Sequence, residues 1–198
     1  MSDKAELTKA HILEKVAPIF NKKGFIATSL SDLTAATGLT KGAIYCHYDN
    51  KEDLAVQAYK LMVKKVIRPL TDVMEKQEHS AKKLKALTNY YRNYHQLARN
   101  YGGCPVLNIG INAHYTNSKL FELARDISKR LEDGLKAILI NAVEEGYLKE
   151  SADPDVLASK IFSMIEGGIF MATLHHKGKY LTMMMDEVDQ IIAVNRKD

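Results

Sequence analysis

Only two cysteines occur, Cys46 and Cys104, far apart in the chain, which excludes a disulfide framework and a cysteine-built zinc cluster. No uninterrupted apolar run approaches the roughly 18 residues of a membrane span. The opening residues, "MSDKAELTKA", are polar and lack the apolar core of a signal peptide. The expectation is a cytoplasmic protein with reduced thiols and no membrane partner. Strand-like alternation is scarce, and internal repeats and low-complexity tracts are missing. So are a Gly-rich phosphate loop, a nucleophile elbow and a paired metal-ligand motif. His114 and the pair His175-His176 have no acidic or cysteine neighbours at ligand spacing. No enzyme, metal or cofactor is expected; a helical enzyme or ligand carrier is the competing reading.

What is present is a chain of 198 residues with 46% hydrophobic content, enough for one sizeable core or two small ones. The net charge of +4 is unevenly spread. Residues 1–100 carry 17 Lys and Arg against 10 Asp and Glu, and residues 101–198 carry 11 against 14. A basic front half and a mildly acidic back half suit a polyanion at the front only. A solvated charged face with no partner fits the same charge.

Helical spacing runs through the whole sequence. Ile12, Val16, Ile19 and Phe20 form an apolar stripe that Gly24 closes, with Pro18 expected to bend it. Ser29 and Asp32 make a variant capping box for a short helix carrying Leu30, Leu33 and Ala36 and stopped by Gly38. Thr40 caps the next short helix. Asn50 with Asp53 caps a long one, which Pro69 should end or kink. A fifth helix from Ser80 breaks at "NYGGCP", and Pro105 can start another. Asn117 or Ser118 opens a helix reaching Gly146, Asp153-Pro154 opens one reaching His175, and the last covers Leu181 to Val194. The fold class is all-α: about nine helices, with a small three-helix head (1–50) on a larger C-terminal bundle (51–198).

Two short helices joined at Gly38 have the layout of a helix-turn-helix. At about 100° per residue, Ile44 marks the buried side of the second, and Gly42, Ala43, Tyr45 and Cys46 fall outward. A bare entrance at Gly42 lets the backbone come close to base edges, and the Ala43 methyl can touch a thymine methyl. Thr40, Tyr45 and His47 can donate to phosphates, Lys41 adds charge, and Lys51 lies in the first turn of the next helix.

The stretch "GFIATSLSDLTAATGLTKGAIYCHYDNKEDL", Gly24 to Leu54, resembles the DNA-binding head of the TetR family of transcriptional regulators. The resemblance implies DNA contacts at Ser29, Thr40, Lys41, Gly42, Ala43, Tyr45, His47 and Lys51. Pro18, Asp49 and Cys46 depart from the family pattern. It also implies a homodimer on operator DNA, most commonly as a repressor, held through the last two helices. Mid-helix Gly167 and Gly168, together with Met171, Met184, Val188 and Ile191, are the candidates for that interface. A pocket for an unknown small-molecule effector is implied among the middle helices. Its candidates are Tyr91, Tyr94, His95, Cys104, Asn108, Asn112, Phe121 and Phe170. Cys104 sits at a Gly-Gly break before a helix start, where a thiol's pKa can fall. Some family members sense electrophiles or oxidants through a cysteine in a similar context, which gives a thiol-sensor alternative on the same scaffold. A small buried residue in a tight turn is the other reading of Cys104.

Overall fold

A computed structural model describes residues 2–197. Among them are nine helices: α1 (Ser2–Ala27), α2 (Leu30–Thr37), α3 (Lys41–Tyr45), α4 (Lys51–Glu75), α5 (Ser80–Tyr101), α6 (Pro105–Ala113), α7 (Ser118–Glu144), α8 (Pro154–Leu174) and α9 (Lys179–Val194). The only β pairing among the described residues is an isolated bridge between Leu148 and Arg196. The chain forms two compact units. One comprises Met1–Val66 with Tyr101–Arg125, the other Ile67–Asn100 with Asp126–Asp198.

In the first unit the local signals act where the sequence puts them. The α1 helix continues through Pro18, because Val16, Ala17 and Phe20 around it are buried and hold the segment helical. Its backbone leaves helical geometry at Gly24, where φ is 78° and a Cβ would collide with Asn112 of α6. The Thr28 hydroxyl, fully buried, donates to the Gly24 carbonyl at 2.7 Å and locks the turn into α2. Ser29 Oγ accepts from the Asp32 amide at 3.1 Å, while the Asp32 carboxylate accepts from the Ser29 amide at 2.8 Å. Gly38 closes α2 in the left-handed region, with φ 69°. Thr40 Oγ1 accepts from the Ala43 amide at 3.3 Å and caps α3.

Buried polar side chains tie α1 to the loop before α6. Asn21 Nδ2 donates to the carbonyls of Tyr101 at 2.8 Å and Gly103 at 3.1 Å. Asn108 Nδ2 donates back to the Asn21 carbonyl at 3.1 Å and to Gly102 at 2.8 Å. Asn117 caps α7 through the Leu120 amide at 2.9 Å and donates to Glu52 of α4 at 2.8 Å. Lys65 of α4 pairs with Glu14 of α1.

The second unit is built on Leu84, Leu87, Leu139, Ile161, Ile165, Leu181, Met185 and Val188, all nearly or fully buried. The α4 helix does not end at Pro69 but continues to Glu75. The proline forfeits one backbone hydrogen bond, and buried Ile67 and Leu70 on either side keep the helix going. On α5, Arg92 reaches Asp186 at 2.7 Å and Asp189 at 2.8 Å on α9, and Lys85 reaches Asp189 at 2.9 Å. By length and composition α8 is the one described helix that could cross a membrane, with mean hydropathy 1.3. Within the unit its Leu157, Ile161, Ile165, Ile169 and Ala172 are buried in protein, and Asp155, Lys160 and Glu166 interrupt the apolar run.

Candidate nucleic-acid interface

The head's reading surface is assembled by caps. Leu33, Ile44 and Tyr48 are buried and hold α2 and α3 on α1. The Tyr48 hydroxyl donates to the Lys9 carbonyl at 3.0 Å. Burial, with Asp53 and Glu6 nearby, pushes that hydroxyl's pKa up to about 12. This anchor pins the far end of α3. Its outer face is left to solvent, with Thr40, Lys41, Gly42 and Cys46 exposed and Ala43, Tyr45 and His47 half-buried. A Cβ added at Gly42 would meet nothing within 4 Å, so the bare entrance is not a packing requirement.

The flanks are positioned as firmly. The Lys51 ammonium lies 4.7 Å from the centre of the Phe25 ring. Partial burial lowers its pKa, and the nearby Asp32 charge works against that. The Asp32 carboxyl is held down to about 2 by the Lys23 hydrogen bond, then by those from Ser29. Lys23 reaches it at 2.6 Å. The α4 start is capped by Asn50, whose Oδ1 accepts from the Asp53 amide at 2.9 Å. Asp53 reaches back to the Asp49 amide at 3.3 Å rather than to Asn50. All eight residues expected to meet DNA, Ser29, Thr40, Lys41, Gly42, Ala43, Tyr45, His47 and Lys51, fall in the first unit. Ser29 and Thr40 are the two among them whose side chains cap helices, Ser29 in the capping box of α2 and Thr40 at the start of α3.

A family model described as "Bacterial regulatory proteins, tetR family" matches residues 12–58. One described as "Tetracyclin repressor-like, C-terminal domain" matches residues 80–188. This chain belongs to the TetR family. A TetR-family regulator from Chloroflexus aurantiacus superposes with a TM-score of 0.90 at 28% identity, over 96% of each chain. Another, from Cytophaga hutchinsonii, superposes at 0.88 and 28% identity over 98% of each. The repressor DhaR of Mycobacterium sp. (strain GP1) is 22% identical over 91% of this chain and 89% of its own. The protein is thus a helix-turn-helix transcriptional regulator of the TetR family, as these relatives are. Among the described residues no cluster of His, Cys, Asp or Glu could hold a metal ion.

The expected pocket residues of this TetR-family chain divide between the two units. Cys104, Asn108, Asn112 and Phe121 lie in the first unit, and Tyr91, Tyr94, His95 and Phe170 in the second. Asn108 closes the loop before α6, as described above. Asn112 is exposed and donates to the Asn108 carbonyl at 2.8 Å. Phe121 stacks on His114 at 4.7 Å. Tyr94 is buried against Tyr91, ring centres 5.4 Å apart. His95 packs beside Gly178, and Phe170 is 46% exposed. The second unit does contain an apolar cavity of about 120 Å³, and of the expected set only Tyr91 lines it. Residues that sequence reasoning missed, Leu70, Met74, Arg130, Gly134, Leu135 and Phe162, make up much of the remaining wall. Several of these recur at helical spacing on α7, a signal indistinguishable from an ordinary core stripe.

Cys104 is the N-cap of α6 and only 2% exposed. A sensor thiol needs access to its reagent, so this burial argues against the thiol-sensor alternative. Two interface candidates also change place. Val188 is fully buried within the chain, and a Cβ at Gly168 would meet Met184 at 3.1 Å and Leu181 at 3.2 Å. Gly168 therefore serves α8–α9 packing, and Val188 belongs to the core of its own chain. Gly167 is exposed, and Met171, Met184 and Ile191 are half-buried. The apolar groups left outside are Val156, Phe170 and Leu174 on α8 and Met183 and Val194 on α9.

Proposed function

We propose that this regulator is a homodimeric repressor that holds two half-sites of operator DNA and releases them when a small-molecule effector binds. Residues 1–50 form the DNA-binding part and 51–198 the effector and dimerisation part, in a cytoplasmic protein. The observation carrying the first half is the outer face of α3, bare at Gly42 and ringed by Thr40, Lys41, Tyr45, His47 and Lys51. Gly42 and Ala43 meet base edges, and the ring of donors meets phosphates on either side of the groove.

Dimerisation is supported by one exposed stripe. Val156, Lys160, Ser163, Gly167, Phe170 and Leu174 recur every three or four residues along α8 and include three large apolar groups in solvent. Met183 and Val194 extend the apolar surface on α9. A partner copy covering this face would remove that exposure. Helix α4 supports the switch. It carries Lys51 in its first turn and Leu70, Thr71 and Met74 of the cavity wall toward its other end. An effector that binds better to one setting of α4 shifts the dimer to that setting and moves the heads off the half-site spacing.

Sedimentation with and without a bound duplex tests this reading. The expected result is a dimer at micromolar concentration, with Phe170→Glu/Leu174→Glu giving folded monomers of much weaker operator affinity. A wild-type monomer that binds a palindrome tightly would refute it.

A further inference from the structure

Two residues in the wall of the second unit's cavity are not what an apolar core requires. Leu70, Leu87, Leu135 and Phe162 enclose it, yet Arg130 and Gly134 of α7 also line it. Arg130 is exposed and therefore stands at the mouth. Among the described residues it has no hydrogen-bond or ion-pair partner, even with Asp126 and Asp133 one turn away on the same helix. Arg92 and Lys85, by contrast, are engaged with α9 carboxylates, and Lys136 with Asp155. Gly134 lies one turn beyond Arg130 on the same face of α7. A Cβ there would meet nothing within 4 Å. A mid-helix glycine costs about 1 kcal/mol relative to alanine. No close packing compensates that cost here; Gly134 is exposed, like Arg130, and leaves the cavity's mouth open beside it.

We propose that this cavity takes a small organic anion with an apolar body about the size of a benzene ring and one carboxylate, held at its mouth by Arg130. The assignment rests on the effector reading above and names the effector's chemical class. The size follows from the volume. An apolar cavity of roughly 150 Å³ accepts benzene, and this one is about 120 Å³ with an open mouth at Arg130. The charge follows from Arg130, a permanent cation whose planar fork matches a carboxylate in two parallel hydrogen bonds. Its exposure lets the carboxylate stay partly hydrated while the ring is buried, so no unpaired charge enters the apolar interior.

Calorimetric titration of the full-length protein with phenylacetate and with phenylacetamide, its neutral isostere, tests the assignment. Wild type should bind the acid about tenfold more tightly than the amide. Arg130→Gln, an exposed change that leaves the fold alone, should bring the two to parity. Gly134→Leu, which obstructs the mouth, should abolish binding of both, and Gly134→Ala should weaken both. Equal affinity of wild type for acid and amide, or a preference that survives in Arg130→Gln, overturns the anion assignment and leaves the cavity's ligand role standing. Failure of the effector reading looks different: acid, amide and toluene all leave wild type unbound, and the proposal falls with it.

Discussion

Replacing Gly42 by leucine separates DNA reading from folding. The position is exposed and a Cβ there meets nothing within 4 Å, so the variant has no clash to relieve. Leucine is also the better helix former, worth up to about 1 kcal/mol in a helix interior and less this near the start of α3. The melting temperature should therefore stay level or rise slightly. Against DNA the new side chain stands where the backbone must meet base edges, and it holds the helix out of the groove. Each lost base contact costs about 1–3 kcal/mol. Losing two gives at least about a thirtyfold drop in specific affinity. Phosphate contacts from Lys41 and Lys51 lie outside the obstruction, so non-specific binding and its salt slope should persist. Fluorescence anisotropy on a selected operator and on a scrambled duplex, across a salt series, reads all three quantities. The reasoning is refuted if Gly42→Leu keeps full operator affinity while remaining folded, or if both duplexes weaken equally.

Three further outcomes follow from the same geometry. Lys51→Ala should weaken all duplexes alike and lower the salt slope by about one phosphate contact, read from the same titrations; an unchanged slope counts against its role. Gly168→Leu should destabilise the monomer by about 1–3 kcal/mol in urea melts, because the new side chain meets Met184 and Leu181 within the chain. If only the dimer equilibrium moves, the intrachain placement is wrong. Burial opposes ionisation of Asp189, but hydrogen bonds from Lys85, Arg92 and Thr88 outweigh it and depress its pKa. Its stabilising effect is therefore present above the ordinary carboxylate pKa of about 4 and lost as pH falls through the lower folded value. Acid melts should show a steeper loss in wild type than in Asp189→Asn, and parallel curves would contradict this.

Where local chemistry decides structure, the sequence was legible. Ser29, Thr40, Asn50, Asn117 and Asp153 each cap the helix expected of them, and Gly24 and Gly38 break the backbone where only glycine is at ease. The outer face of α3 was readable for the same reason, since one buried residue, Ile44, sets the rotation of so short a helix. Pro69 does not end its helix, because tertiary packing outweighs one lost hydrogen bond, a term invisible in a local window. Gly168 is a similar case. A small residue signals close approach but not whose helix approaches, and Gly168 meets α9 of its own chain. Polar residues near a sequence break, such as Asn108 and Asn112, looked like pocket tips but serve the backbone of the loop and of α6. Arg130 carried no local signal, being one more cation on a charged helix until the cavity beside it is seen.

Selection of bound sequences from random duplex DNA at physiological salt tests the central claim most directly, because it asks whether this head reads bases at all. A pseudo-palindrome with half-sites set by a two-fold dimer should be enriched. That enrichment should be lost in Gly42→Leu. Recovery of duplexes with no sequence preference, in equal measure from wild type and variant, would contradict it.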